Sequence, residues 1–184
     1  MKAKLANTLL ITIIGTLLFA VPALSTVVEH MTVERLSEIA TLVVLGEVRT
    51  VDARWNKDQT KIYTHISLSP TEILKGDQRL TDVHIKQIGG TVGETAALLP
   101  GSPTFEPEEQ VLLFLENRKD GDGYMVIGLY QGKYKVIKEL TDGDQILQRD
   151  VPHRGISIVD STGKPTTEKH TLSEVRAIVK GGTR

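Results

Sequence analysis

The sequence predicts a mainly β protein, a small antiparallel barrel of five to six strands with a short helix before it and a second helix after it. Three observations predict this. Short runs in which apolar and polar residues alternate recur along the chain, joined by Gly/Asp turns. Gly46, Pro70 and Gly128 interrupt those runs, and tight closure of few strands calls for such bends. Amphipathic helical spacing is confined to two stretches, around residues 32–40 and 171–180.

The first segment stands apart from the fold. Lys2 and Lys4 precede an apolar run from Leu9 to Val21, and Pro22-Ala23-Leu24-Ser25 places small residues at a cleavage site after Ser25, with Ala23 as an alternative. Residues 1–25 therefore read as a signal peptide, with an uncleaved membrane anchor as the alternative. The domain that remains is 26–184. Loss of the two lysines takes the formal charge from −1 to −3. The chain has no cysteine, which excludes disulfides, thiol chemistry and a lipidated cysteine. A mildly acidic chain with 4% aromatic residues gives no case for nucleic acid as partner.

Along the domain, Thr32 caps a helix whose Val33, Leu36, Ile39 and Ala40 share a face, although Arg35 occupies the capping-box position. Leu42 to Asp52 is a strand, with Gly46 marking a bulge or a close backbone approach. Ala53 to Thr60 is a polar hairpin loop. Ile62, Thr64, Ile66 and Leu68 alternate in the next strand, which bends or runs along an edge at Pro70. Val83, Ile85 and Gln87 set the third strand, and Gln110 to Glu116 is the most apolar of the set. Between them lies a long Gly/Pro-punctuated loop, residues 89–109. Tyr124–Tyr130 and Lys133–Ile137 bend around Gly128 and Gly132, and short extended pieces follow at Ile146–Arg149 and Ile156–Val159. Thr171 and Glu174 form a capping box that opens the last helix, with Leu172, Val175, Ile178 and Val179 inward. The core is about residues 40–137, and the helix at 171–180 belongs to a C-terminal extension. An oligonucleotide-binding-type barrel fits best.

Three stretches then occur in order: Ala40–Val48 (ATLVVLGEV), Glu72–Gly76 (EILKG) and Phe105–Leu115 (FEPEEQVLLFL). Together they resemble the netrin-type domains, which include the tissue inhibitors of metalloproteinases, and a family of exported bacterial proteins of unknown function. The resemblance implies the same barrel with flanking helices, and a role as modulator of a secreted metalloprotease, as inhibitor or folding partner. The inhibitors' mechanism does not carry over, because it places an N-terminal cysteine on the catalytic zinc and this chain has none.

No motif predicts a catalytic, cofactor or metal site. His65 and His84 face outward on neighbouring strands. Folding back at about Asp77 would set His65 opposite Gly89 and His84 opposite Pro70, several rungs apart, so both read as surface histidines. His30, His153 and His170 lie in unrelated polar contexts. Asp120-Gly121-Asp122-Gly123 starts like a calcium loop but lacks the later ligands and reads as a hairpin turn, as does Asp142-Gly143-Asp144. Gly89-Gly90-Thr91-Val92-Gly93 lacks the Lys-Ser/Thr of a phosphate loop. Ser102 has no nucleophile elbow, and Glu106, Glu108 and Glu109 read as a solvated start of a strand.

The expected function is that of an exported, non-enzymatic domain, periplasmic or secreted, binding a protein or envelope partner through the 89–109 loop, with no membrane span once the signal is cleaved. The residues expected on that surface are Arg54, Trp55, Thr91, Val92, Glu94, Leu98, Leu99 and Ser102. Trp55 reads equally as an interface anchor or as a plug over the barrel end. A hydrolase with an unrecognised site is the further alternative.

Overall fold

Leu42–Leu45 and Val111–Leu115 are apolar at every position, and the computed structural model, which describes residues 30–150 and 168–182, shows why. Each strand is covered on both faces. Strand β1 (Leu42–Trp55) pairs antiparallel with β2 (Ile62–Lys75) on one side and with a later strand, β6 (Gln110–Asn117), on the other. Strand β3 (Val83–Ile88) continues from β2, and β7 (Tyr124–Val126) bridges β3 to β6. The ring β1-β2-β3-β7-β6 thus closes a five-stranded barrel. Its junctions are antiparallel except β3–β7, which is parallel and rests on the pair Ile85↔Tyr124. The closure therefore departs from the all-antiparallel expectation at one seam.

Alternation divides the apolar residues between two layers. Leu42, Val44, Ile66, Leu68, Val83, Ile85, Val111, Leu113 and Leu115 fill the barrel. Val43, Leu45, Leu112 and Phe114 face the opposite way, into a second core under the helices. That second layer extends where β8 (Lys133–Glu139) pairs with the first half of β6, followed by β9 (Gln145–Arg149) and β10 (Lys169–Thr171). Helix α1 (Val33–Ile39) contributes Val33 and Leu36, and α2 (Leu172–Gly181) contributes Leu172, Val175 and Val179. Thr32 caps α1 by accepting from the Arg35 amide, and both halves of the Thr171/Glu174 capping box form on α2. The two helices cover one flank of the barrel, including the second half of β2, and leave the outer wall of the first half of β2 and of β3 uncovered.

Gly46 combines both features expected of it. The β1–β2 register shifts there, and a Cβ at this position would stand 2.5 Å from the Ser69 carbonyl oxygen. Pro70 lies opposite Gly46, beyond Leu68↔Val83, where β3 pairing has ended. Its missing donor is therefore no loss on that side.

Some boundaries differ from expectation. β1 continues to Trp55, so the hairpin loop is shorter, and the Asn56 side chain organises it by accepting from the amides of Thr60 and Lys61. Strand β10 has no counterpart in the sequence reading; its three residues are too short for a periodic signal. The expected signal peptide, His153 and the extended piece at Ile156–Val159 lie outside the described residues. Among the described residues, no helix is long and apolar enough to cross a membrane.

Candidate functional site

The 89–109 loop behaves as two halves. The first turns out as a small hairpin of β4 (Gly90–Val92) and β5 (Thr95–Ala97), reversed at Gly93, whose φ is +58°. Thr91 and Glu94 are exposed, Val92 is half-buried, and Leu98 and Leu99 follow in the open at 75% and 42% exposure. The second half docks. The Gly101 carbonyl accepts from the Tyr130 amide at 2.8 Å, Phe105 enters the barrel core, and Val48 exchanges backbone hydrogen bonds with Glu108 and Glu109.

Trp55 is exposed at the end of β1, which favours an available side chain over the plug reading. It pairs with Ile62, and the Ile62 carbonyl accepts from the Gly89 amide. Ile88, exposed as well, precedes Gly89, while a Cβ on Gly89 would lie 3.7 Å from the Leu99 nitrogen. Trp55, Ile88, Leu98 and Leu99 therefore gather at one end of the barrel. They are four of the five large hydrophobic side chains left exposed among the described residues, the fifth being Ile137 on β8. Arg54 beside them is exposed, with its Nε 4.0 Å from Asp52. Ser102 leaves this set. It sits in the docked half, and its hydroxyl is buried without a hydrogen-bond partner among the described residues, so nothing stands ready to take its proton either.

The stem of the loop is held by a cluster that sequence reasoning missed. Lys133 is fully buried, and its Nζ donates to the Thr104 carbonyl, both Glu109 carboxylate oxygens (3.0 and 2.9 Å) and Asp150 (2.8 Å), 4.6 Å from the Phe105 ring centroid. Lys135 pairs with the same two carboxylates. Glu109 is thus not a solvated start of a strand. Its carboxylate and that of Asp150 compensate a buried ammonium.

A second buried network ties the two ends of the described chain together. Arg149, with no exposed side-chain surface, donates to the Met31 carbonyl (2.6 Å), Gln131 Oε1 (3.1 Å), the Tyr134 hydroxyl (2.5 Å) and Glu168 Oε2 (2.9 Å). His30 and His170 flank Glu168 at 3.0 and 2.8 Å, so these two histidines share one carboxylate instead of lying in unrelated contexts. Burial pushes the Glu168 carboxyl up, but the His170 hydrogen bond and the Arg149 charge outweigh it and leave the group below its ordinary value. Burial also raises the Tyr134 phenol well above the usual tyrosine range.

The expected separation of His65 and His84 is overturned. The register sets His65 opposite Lys86 and Ser67 opposite His84, three residues away from the expected pairing. The two rings are diagonal neighbours on the outer wall, with His65 Nδ1 3.2 Å from His84 Nε2. Burial, and then the charge of Arg54, hold the His65 imidazole below its ordinary pKa. Across the wall, Asp122 takes the Lys86 ammonium and Asp120 takes Arg118, whose guanidinium holds the Asp120 carboxyl down at about 2. Both carboxylates of the calcium-like turn are thus already paired with cations. Among the described residues, no group of three or more histidine, aspartate or glutamate side chains is arranged to hold a metal ion.

An open groove of about 490 Å³ runs between the second half of β2 and α2, crossed by the Arg176–Glu72 ion pair at 2.6 Å. No family model, curated protein or solved structure matches this chain.

Proposed function

We propose that the chain is an exported, non-enzymatic binding domain that recognises a protein through the barrel end carrying Trp55, Ile88, Leu98 and Leu99. The observation that carries this reading is the concentration of exposed large hydrophobics at that end. Single exposed apolar residues need no explanation, whereas a rimmed cluster with an aromatic and an arginine has the composition of an interface anchor. Thr91, Val92 and Glu94 on the β4–β5 hairpin and Arg54 supply the polar surround. The signal-like first segment supports export, to the periplasm or beyond the cell.

The test is capture of partners by the tagged full chain from envelope extract and culture medium, against a Trp55→Ala/Leu98→Ser/Leu99→Ser variant. All three side chains are exposed in the wild type, so the variant is expected to melt within a few degrees of it. Recovery of the partner is expected to fall at least tenfold. Equal recovery from a folded variant refutes the assignment of the rim.

A closed five-stranded barrel flanked by two helices is compatible with the oligonucleotide-binding-type fold that the netrin-type resemblance implies. It favours a second reading, modulation of a secreted metalloprotease through the same rim. An unchanged rate across a panel of such proteases, at saturating concentrations of the chain, eliminates it.

A further inference from the structure

The outer wall of β2 and β3 carries a feature that partner binding at the barrel end does not use. We propose that His65 and His84 form a two-nitrogen chelate for a borderline divalent transition-metal ion, Cu2+ foremost, with the Asp122 carboxylate as an outer partner beside it.

Placement comes first. Ile66 and Ile85 are paired and point into the barrel, which fixes the register and turns His65 and His84 to the same outer face. Both histidines stand on paired strands instead of loops, so the two rings are held by the sheet. Their facing nitrogens are 3.2 Å apart. Two imidazole ligands at metal–nitrogen distances near 2.0–2.1 Å have nitrogens about 2.9 Å apart at cis positions of a tetragonal ion and about 3.3 Å apart on a tetrahedral one, and the observed spacing lies between. Without metal, the same spacing is that of a hydrogen bond between the two rings. An ion binding both nitrogens replaces that hydrogen bond and requires the two near-parallel rings to turn so that their lone pairs converge.

The surroundings supply paired charges and an oriented carboxylate. Arg54, Lys86 and Arg118 are matched by Asp52, Asp122 and Asp120, each within ion-pair distance. Each cation near the rings thus has a carboxylate partner. Asp122 uses Oδ2 to accept from Lys86 at 2.5 Å, and its Oδ1 stands 3.9 Å from His84 Nε2. Lys86 thus orients the carboxylate toward the histidines while leaving one oxygen available, as outer partners do around metal ligands. Two protein nitrogens, with the remaining positions left to water, make an affinity in the micromolar range, below that of a preformed site with three ligands. Imidazole ligation selects Cu2+ over Ni2+ and Zn2+, and rejects Mg2+ and Ca2+.

The experiment titrates the purified full chain with Cu2+, Ni2+, Zn2+ and Mg2+ salts at neutral pH by calorimetry, with electron paramagnetic resonance on the Cu2+ complex. One Cu2+ per chain is expected, with nitrogen hyperfine structure from two imidazoles and no response to Mg2+. His65→Ala and His84→Ala are each expected to remove the two-nitrogen signature, and Asp122→Asn to weaken binding about tenfold. The three side chains are partly exposed, and thermal melts verify that the variants fold. Cu2+ binding that persists unchanged in the His65→Ala/His84→Ala double variant overturns the proposal and moves the ion to His30 or His170. Absence of micromolar Cu2+ binding by the wild type overturns it outright.

Discussion

Replacing Lys133 by methionine separates the two halves of the long loop energetically. The substitution keeps most of the buried stem and deletes the ammonium. It leaves the Thr104 carbonyl, Glu109 and Asp150 without their central donor, with the two carboxylates only 13% and 15% exposed. Removing one partner from a buried ion pair costs about 3–5 kcal/mol. Lys135 moderates this, because its Nζ stays 3.0 Å from Glu109 and 3.5 Å from Asp150. The expected loss is thus at the lower end, about 3 kcal/mol, or about 6–12 °C in melting temperature for a domain of this size. Chemical denaturation gives the free energy. Hydrogen exchange gives the location, since the Val48 and Glu108 amides, bonded to Glu109 and Val48 across the stem, should lose protection first. Adding Glu109→Gln to Lys133→Met should recover part of the loss, because it removes one unpaired buried charge. A loss under about 1 kcal/mol, the range of an exposed ion pair, refutes the claim that this cluster anchors the loop.

Two further perturbations probe the remaining structure. Glu168 has a folded pKa below its ordinary 4.5, so its contribution is fully present above that value and is lost as the pH falls through the lower folded value. Glu168→Gln should therefore be less stable than the wild type at pH 7, with the gap closing toward pH 3 in denaturation series; parallel curves contradict the Arg149–Glu168 account. Gly46→Ala should cost about 1–3 kcal/mol, because the new Cβ would meet the β2 backbone at Ser69. An unchanged melting temperature would show that β1 and β2 can separate there at no cost.

The barrel was legible because its strands follow period two, and the flanking helices because their caps are explicit at Thr32 and at Thr171/Glu174. The β2–β3 register was not. Gly76 (φ +108°) and Asp77, whose carboxylate accepts from the Arg79 amide, turn a seven-residue connection that carries no two-residue hairpin signal. Register is decided instead by which apolar pair is buried, here Ile66 and Ile85, and a slip of three residues separated two histidines that are in contact. The buried cations were concealed for a different reason. Lysine and arginine are rarely buried, so a charged residue in a strand carries no core signal of its own, yet the alternation gives the phase: Arg149 is two residues from Leu147 on one strand and shares its inward face. Extending the period through a charged residue would have found it.

That same buried charge bears on how the barrel end would recognise a partner. Leu98 and Leu99 lie between a hairpin closed by β4–β5 pairing and a stem fixed by the Gly101–Tyr130 bond and the Lys133 cluster. Their backbone is restrained on both sides before any partner arrives. Ordering a flexible loop on binding typically consumes much of the contact energy, whereas here that entropy loss is incurred during folding. A protruding apolar segment on a restrained stem therefore retains more of its burial energy for association. The Lys133→Met variant separates these contributions, because it should weaken partner capture while Trp55, Leu98 and Leu99 are all still present.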